Sequence, residues 1–328
     1  MNTIYYLCPD ENTPVGGVKV LYRHVDALNR NSFQAAIVHR KKGFRATWFE
    51  NQTRVEYYGK INPDAFDFIV IPEINGPRAT NVFPDAKKVI FNQNAYYTFL
   101  GYSLDPKDRV TAYRDPSLVG VMAVSEDSRE YLAYVFPELK VHRIHSAVDG
   151  ERFRFRPLAE KQNRISFMAR KHPEEARQVI NILKFRNALD GVEVGKIEGR
   201  NERDVAQILA ESLIFLSFGY PKGLPAAPIE AMMCGCLVIG YDGFGGREFY
   251  SPSYCWPVAV GDIVGMARVV ETVLNGYRAT PRSLQDRAEA AREFVRREYS
   301  PEREERDILE FWDDVMFSQG RDAIAEGL

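Results

Sequence analysis

Residues 218–240, FGYPKGLPAAPIEAMMCGCLVIG, predict the fold class most directly. They begin at the end of an apolar strand, continue through a loop rich in glycine and proline, form a short helix and end in a second apolar strand. Pro228 suits the first turn of that helix, where its missing N–H removes no hydrogen bond. A strand, loop, helix and strand in this order predict part of a parallel sheet that is covered by helices.

The same alternation continues in both directions along the chain. Short apolar runs that predict strands alternate with segments of helical period. One helical face is predicted from Val18, Leu21, Val25 and Leu28, and helix caps are predicted at Ser125 and Asp262. Predicted strands cover residues 4–8, 35–39, 66–72, 88–91, 120–124, 140–144, 165–169, 192–197, 213–217, 236–240 and 254–258. The pattern favours an α/β protein with doubly wound parallel sheets.

One polar segment interrupts this series. Residues 149–163 lack a clean period and are predicted to be a linker. The chain has 328 residues, of which 45% are hydrophobic, and this is enough for two domains of roughly 150 residues each. We therefore expect a first domain over residues 1–157 and a second over residues 158–300.

Charge and cysteine usage limit the function classes. The formal net charge is -2, so there is no overall attraction to nucleic acid. The basic run at residues 39–45 is either a solvated loop or a contact for a phosphate or a membrane surface.

The cysteines are predicted to be reduced thiols, because they have apolar neighbours and lack a zinc-binding spacing. They are Cys8, Cys234, Cys236 and Cys255. Because there is also no secretory signal and no long apolar run, we expect a cytoplasmic protein.

Two places at predicted strand ends suit a phosphate, since ligands of parallel sheets bind beyond the carboxyl ends of the strands. Gly16 and Gly17 precede a helix, and their lack of a Cβ lets the backbone approach a ligand. A simple tight turn explains them equally well. Arg170 and Lys171 follow the strand at 165–169 and suit a diphosphate, with ordinary surface charges as the alternative.

Carboxylates and amides at other strand ends are candidate sugar ligands or catalytic groups. Glu230 could accept hydrogen bonds from ribose hydroxyls, and Glu248 ends a second glycine-rich loop. Glu73 follows a strand and is a candidate acid or base, or else a helix-capping or solvent-facing acid. Asn92 could bond a sugar or an acceptor, or belong to a polar turn that caps the next helix.

The stretch from Gly223 to Glu248 resembles the donor-site signature of the retaining family 4 glycosyltransferases, which have the GT-B fold. The similar parts are residues 223–225 (GLP), 228–235 (PIEAMMCG) and 245–248 (GGRE), and the spacing of eighteen residues from Glu230 to Glu248 agrees with that family. Residues 14–18, 124–126, 145–153 and 165–170 are similar to further segments of the family, in the same order. The resemblance implies two Rossmann-like domains that face each other across a cleft, with helix 301–328 packed back on the first.

The resemblance also implies a role for each matching residue. Arg170 and Lys171 would bind the donor diphosphate, Glu230 the ribose, and Gly223 and Leu224 the region of the transferred sugar. Gly16 and Gly17 would close over the phosphates from the other domain, and Glu248 would complete the donor site. Such enzymes use a nucleotide sugar as donor and need neither a metal ion nor another cofactor, because cations and helix N-termini neutralise the leaving diphosphate.

The sequence does not match the family's pattern at every position. Lys222 stands where the family has the first of two glutamates, eight residues before Glu230. A lysine cannot accept hydrogen bonds from sugar hydroxyls as a carboxylate does, so the donor sugar and the retention of configuration stay open. Lys222, Asn92 and Glu73 are therefore the candidate catalytic residues.

The resemblance thus implies a glycosyltransferase that moves a sugar from a nucleotide-diphosphate sugar to an acceptor that the sequence does not identify, and retention of configuration is what the family would give. A saccharide, a lipid-linked saccharide or a small molecule would each serve as acceptor, and the protein could touch a membrane peripherally. Two alternatives stay open. One is a nucleotide-sugar epimerase or hydrolase of the same fold with Glu73 as its base, and the other is a non-catalytic partner subunit.

Overall fold

The structure is a computed structural model that describes residues 2–326, with the side chains of residues 2–77 and 79–319. The chain divides into two compact units. The first comprises Met1–Ser146 and Glu302–Leu328, and the second comprises Ala147–Pro301. In the described part of the chain, no helix combines the length and the apolar character that a membrane crossing requires.

The first unit is built on a parallel sheet. Its strands are β1 (Thr3–Leu7), β2 (Gln34–His39), β3 (Val55–Tyr57), β4 (Phe68–Pro72), β5 (Lys87–Asn92), β6 (Leu118–Ala123) and β7 (Val141–Arg143). They pair in the order β3-β2-β1-β4-β5-β6-β7. The helices α1 (Gly16–Arg30) and α2 (Glu126–Val135) follow β1 and β6. The predicted apolar face of α1 is confirmed, because all four of its residues are buried.

The second unit has a smaller parallel sheet. Its strands are β8 (Gln162–Met168), β9 (Glu193–Lys196), β10 (Ser212–Ser217), β11 (Leu237–Gly240) and β12 (Trp256–Pro257), in the order β12-β11-β10-β8-β9. Its helices are α3 (Pro173–Phe185), α4 (Glu202–Glu211), α5 (Ala226–Met233), α6 (Ile263–Ala279) and α7 (Pro281–Glu298). Apolar side chains are buried against both faces of this sheet, as expected for a parallel sheet.

The C-terminal helix α8 (Pro301–Glu326) completes the core of the first unit. Trp312 is fully buried, and its indole Nε1 donates a hydrogen bond to the hydroxyl of Tyr6 at 3.1 Å. The guanidinium of Arg23 on α1 holds both carboxylate oxygens of Glu304 at 2.7 and 2.8 Å. The helix therefore belongs to a unit whose other residues lie at the opposite end of the sequence.

The boundary between the units lies at Ser146 and not at the predicted residue 157. The segment that follows Ser146 has a polar composition, but Val148 and Phe153 are buried in the core of the second unit. The backbone N–H of Arg156 also donates to the carbonyl of Cys234 at 3.1 Å, at the end of α5. A few large apolar side chains therefore attach the predicted linker to the second unit.

Most local predictions are confirmed. Within residues 2–326, each of the eleven predicted strands overlaps a strand of the structure. Ser125 and Asp262 cap α2 and α6 as predicted, and the four cysteines are free and buried. Strand β3 is missing from the prediction, because it is only three residues long, half-buried, and lacks an apolar run.

Candidate active site

The candidate site of the second unit lies at the carboxyl edge of its sheet. Strands β8 and β10 are neighbours, and their last residues, Met168 and Ser217, are paired. Arg170 and Lys171 follow β8, and a loop of residues 218–225 follows β10. The two segments that carry the predicted phosphate and sugar contacts therefore leave the sheet side by side, as ligand-binding loops of parallel sheets do.

Direct contacts join these two segments. The ammonium of Lys171 donates to the carbonyl of Pro221 at 2.8 Å. The ring of His172 stacks on the ring of Tyr220, with centroids 4.0 Å apart, and its Nε2 donates to the Tyr220 carbonyl at 2.7 Å. The Tyr220 hydroxyl in turn donates to Glu175 at 3.0 Å. These contacts hold the loop against the start of α3 and fix Lys171, while Arg170 is exposed.

Glycines let a second loop, residues 242–246, pack backbone against backbone on the first. The N–H of Lys222 donates to the carbonyl of Gly243 at 2.8 Å, and the N–H of Gly245 donates to the carbonyl of Lys222 at 3.1 Å. A Cβ at Gly245 would overlap the carbonyl oxygen of Gly223. The predicted glycine-rich loops are thus packed closely on each other, which defines the backbone geometry around Gly223.

Lys222 lies on the first loop, where this loop contacts the second. Its side chain passes the glycines so closely that a Cβ at Gly219 would lie 3.0 Å from its Cε, and one at Gly243 would lie 3.3 Å from its Cβ. Burial, and then the positive charges of Lys171 and Arg170, lower the pKa of Lys222 to about 8. An anion bound beside it would raise that pKa again, so the cation cluster of Arg170, Lys171 and Lys222 is suited to an anionic ligand.

The remaining predicted donor-site residues lie next to these loops. Glu230 is half-buried on α5, two residues after Pro228. Leu224 packs on the same apolar core as α5. Glu248 accepts a hydrogen bond from the buried Tyr299 hydroxyl at 2.6 Å. Tyr299 is a neighbour that sequence reasoning did not assign to the site, because it lies fifty-one residues further along the chain.

In the first unit, Gly16 and Gly17 have different surroundings. Nothing lies within 4 Å of the position that a Cβ of Gly16 would occupy, whereas a Cβ at Gly17 would overlap Oε1 of Gln93. The Gln93 amide also donates to the carbonyl of Gly17 at 3.2 Å. Gln93 therefore fills the space at Gly17, and of these two glycines only Gly16 leaves room for a ligand. A phosphate contact by either residue stays a prediction.

Glu73 and Asn92 lie at the ends of the neighbouring strands β4 and β5. The Glu73 carboxylate accepts the N–H of Gln93 at 3.0 Å, and burial raises its pKa to about 7. Asn92 is fully buried, and its amide donates to Thr98 at 2.9 Å and to Tyr113 at 2.8 Å. This favours a structural role for Asn92, whereas Glu73 has the pKa that an acid or base needs near neutral pH.

Replacing Glu73 with glutamine should remove a pH dependence of stability. A carboxyl whose pKa rises from 4.5 in the unfolded chain to about 7 in the folded chain destabilises the fold when it ionises. The wild type should therefore lose about 3 kcal/mol of unfolding free energy as the pH rises through this interval. Urea denaturation of both proteins at pH 5 and pH 8 measures their free energies of unfolding. An equal change of this free energy with pH in both proteins would contradict a raised pKa of Glu73.

Comparisons with known proteins support the fold. No protein-family model matches the chain. An alpha-1,6-glucosyltransferase of Actinobacillus pleuropneumoniae serotype 7 (strain AP76) is 26% identical over 275 residues, which cover 79% of this chain and 78% of the relative. Anabaena HepE in complex with UDP and glucose matches with a TM-score of 0.68 at 14% identity, over 96% of this chain and 100% of that one. The sucrose-phosphate synthase of Thermosynechococcus elongatus matches with a TM-score of 0.66 at 13% identity, over 99% and 100%.

This chain has the GT-B fold. The predicted fold class, α/β with two doubly wound parallel sheets, is thereby confirmed. The relative also supports the predicted enzyme class, a glycosyltransferase. Membership of the retaining family 4 and the roles of the individual residues stay predictions for this GT-B protein.

Proposed function

We propose that this GT-B protein transfers a sugar from a UDP-linked donor to an acceptor hydroxyl, and that the second unit binds the donor. The observation that carries the proposal is the cation cluster of Arg170, Lys171 and Lys222 at the carboxyl edge of the second sheet, beside the paired glycine loops. Anabaena HepE forms a complex with UDP and glucose, which supports UDP as the nucleotide.

Each part of the donor has a matching group. Arg170 and Lys171 hold the diphosphate, since a guanidinium forms a fork of two hydrogen bonds to phosphate oxygens and an ammonium adds a point charge. Glu230 accepts hydrogen bonds from the ribose hydroxyls. The backbone around Gly223 and Leu224 contacts the transferred sugar, and Glu248 is oriented beside it by Tyr299.

The reaction breaks the bond between the anomeric carbon and the β-phosphate oxygen, and forms a bond from that carbon to the acceptor oxygen, whose proton passes to the freed phosphate or to solvent. The electron pair of the broken bond stays on the phosphate, so negative charge accumulates there. Fixed cations that face this charge lower the barrier, because they need no reorganisation as the charge develops. We propose that Arg170 and Lys171 supply this stabilisation without a metal ion, and that the configuration at the anomeric carbon is retained.

The activity of the relative suggests the sugar and the acceptor class. The Actinobacillus protein is an alpha-1,6-glucosyltransferase, so glucose is the sugar that we propose first and a saccharide hydroxyl is the acceptor class. Product analysis by NMR reports both the linkage and the anomeric configuration. A β-linked product from an α-linked donor would contradict retention.

Binding of a nucleoside diphosphate should raise the melting temperature of the wild type and not that of Arg170→Ala or Glu230→Ala. At about 100 times the dissociation constant, a ligand stabilises the fold by about 2.7 kcal/mol, which a thermal-shift assay detects easily. UDP, GDP, ADP and TDP are compared as ligands. The matched control is Arg177→Ala, which removes an exposed arginine of α3. If no nucleotide stabilises the wild type at millimolar concentration, the proposed function is wrong, and the non-catalytic partner subunit replaces it.

Incubation of the donor without an acceptor separates transfer from epimerisation and hydrolysis. An epimerase converts the donor into its epimer, and a hydrolase releases the free sugar in a stoichiometric amount. A transferase leaves most of the donor intact until a saccharide acceptor is added.

A further inference from the structure

Lys222 adds a positive charge that a neutral sugar donor does not need. Each phosphate of a sugar diphosphate carries about one negative charge at neutral pH. The positive charges of Arg170 and Lys171 therefore already balance the two negative charges of the diphosphate. Among the residues whose side chains are described, no hydrogen bond or ion pair holds the Lys222 ammonium or the Arg170 guanidinium. The acid of the adjoining loop, Asp242, accepts the N–H of Phe244 at 2.8 Å.

The position of Lys222 is built into both loops. Its backbone N–H and carbonyl are both hydrogen-bonded to the loop at 242–246. Its side chain passes so close to Gly219 and Gly243 that a Cβ on either glycine would have to displace it slightly. A surface lysine would lose rotamer entropy in such a position without a compensating interaction. Burial among like charges costs further free energy, which an anionic ligand recovers.

We propose that Lys222 binds a third negative charge next to the diphosphate of the ligand, a charge that a UDP-linked neutral sugar lacks. This inference rests on the proposed function, since it places the diphosphate between the same cations. Two sources supply such a charge. One is the β-phosphate oxygen that becomes free when the bond to the sugar breaks, and the other is an acid group on the sugar itself, as in a hexuronic acid.

The two sources have different consequences for the enzyme. If the charge is that of the freed phosphate, Lys222 interacts more strongly with the leaving group than with the intact donor, and this difference accelerates transfer. The electron pair of the broken bond stays on that oxygen, and the proton of the acceptor hydroxyl leaves to the phosphate or to solvent. If the charge belongs to the sugar, Lys222 selects the donor.

Calorimetric titrations with UDP-glucose, UDP and UDP-glucuronate at pH 7.5 test the inference. The proteins compared are the wild type, Lys222→Gln, Lys222→Arg and a control variant, Lys184→Gln, which changes an exposed lysine of α3. At this pH the terminal phosphate of UDP is doubly ionised, since its second pKa is about 6. Lys222→Gln should bind UDP-glucose within about twofold of the wild type and lose at least about tenfold in affinity for UDP, for UDP-glucuronate or for both. Lys222→Arg should keep most of the affinity.

An unfolded fraction of a variant changes all its apparent dissociation constants by the same factor. The ratio of two dissociation constants measured on one variant is therefore independent of that fraction. Selective loss of UDP identifies the freed phosphate, and selective loss of UDP-glucuronate identifies a sugar acid. Equal weakening of all three ligands, or no weakening of any, overturns the inference while the proposed function stands. If the wild type binds none of the three, the UDP-linked donor itself is wrong and the inference falls with it.

Discussion

Trp312→Ala is expected to lower the free energy of unfolding by about 3–5 kcal/mol, the range for truncating a large aromatic side chain in a core. Trp312 is fully buried on α8, and its ring packs edge-on against Phe68 and Phe311, with centroids 5.4 Å away in each case. The substitution also removes the donor to the buried Tyr6 hydroxyl. Circular dichroism during urea unfolding measures the loss.

Phe317→Ala is the matched control, because Phe317 lies on the same helix and 60% of its side chain is exposed. Its effect should stay within about 0.5 kcal/mol, as for most surface substitutions. A comparably small loss for Trp312→Ala would mean that the C-terminal helix adds little to the first unit. A selective loss for Trp312→Ala would show that residues at the far end of the chain stabilise the fold of the N-terminal sheet.

Gly245→Ala is expected to weaken both nucleotide binding and sugar transfer by at least about 100-fold. The added Cβ would overlap the carbonyl oxygen of Gly223 and would lie 2.8 Å from that of Lys222, so the two loops must separate. Separation displaces the backbone around the proposed sugar site, and a shift of about 1 Å in a catalytic site costs on the order of 100-fold in rate. Overpacking of this kind also destabilises the fold by about 1–3 kcal/mol.

The control for Gly245→Ala is Gly195→Ala in β9 of the same unit, where no heavy atom lies within 4 Å of the new Cβ. This variant should bind UDP and turn over the donor like the wild type. Calorimetry with UDP and a donor-consumption assay report the two effects for each variant. Wild-type binding by Gly245→Ala would show that the two loops separate without harm to the site.

Local sequence determined the elements and the class of site. The apolar runs 165–169 and 213–217 predict β8 and β10 because a buried parallel strand needs a continuous apolar segment. Arg170 and Lys171 were recognisable because they follow the first of these runs directly. The glycines at 243–246 were recognisable as a loop because of their composition alone.

Tertiary structure decided which of the candidate groups are able to act. Asn92 and Gln93 are adjacent polar residues at the end of β5. Asn92 is fully buried and bonded to Thr98 and Tyr113, whereas Gln93 packs on Gly17. The domain boundary likewise depends on Phe153, whose burial in the second unit no local pattern shows.

The pKa values near neutrality also come from the fold. Glu73 acquires its raised pKa and Lys222 its lowered one from burial, and in Lys222 also from cations about fifty residues away in sequence. Desolvation and charge–charge interactions depend on which atoms surround a group in space. The sequence by itself therefore determined which residues are available for chemistry, and only the packing of distant segments decided their charge states and contacts.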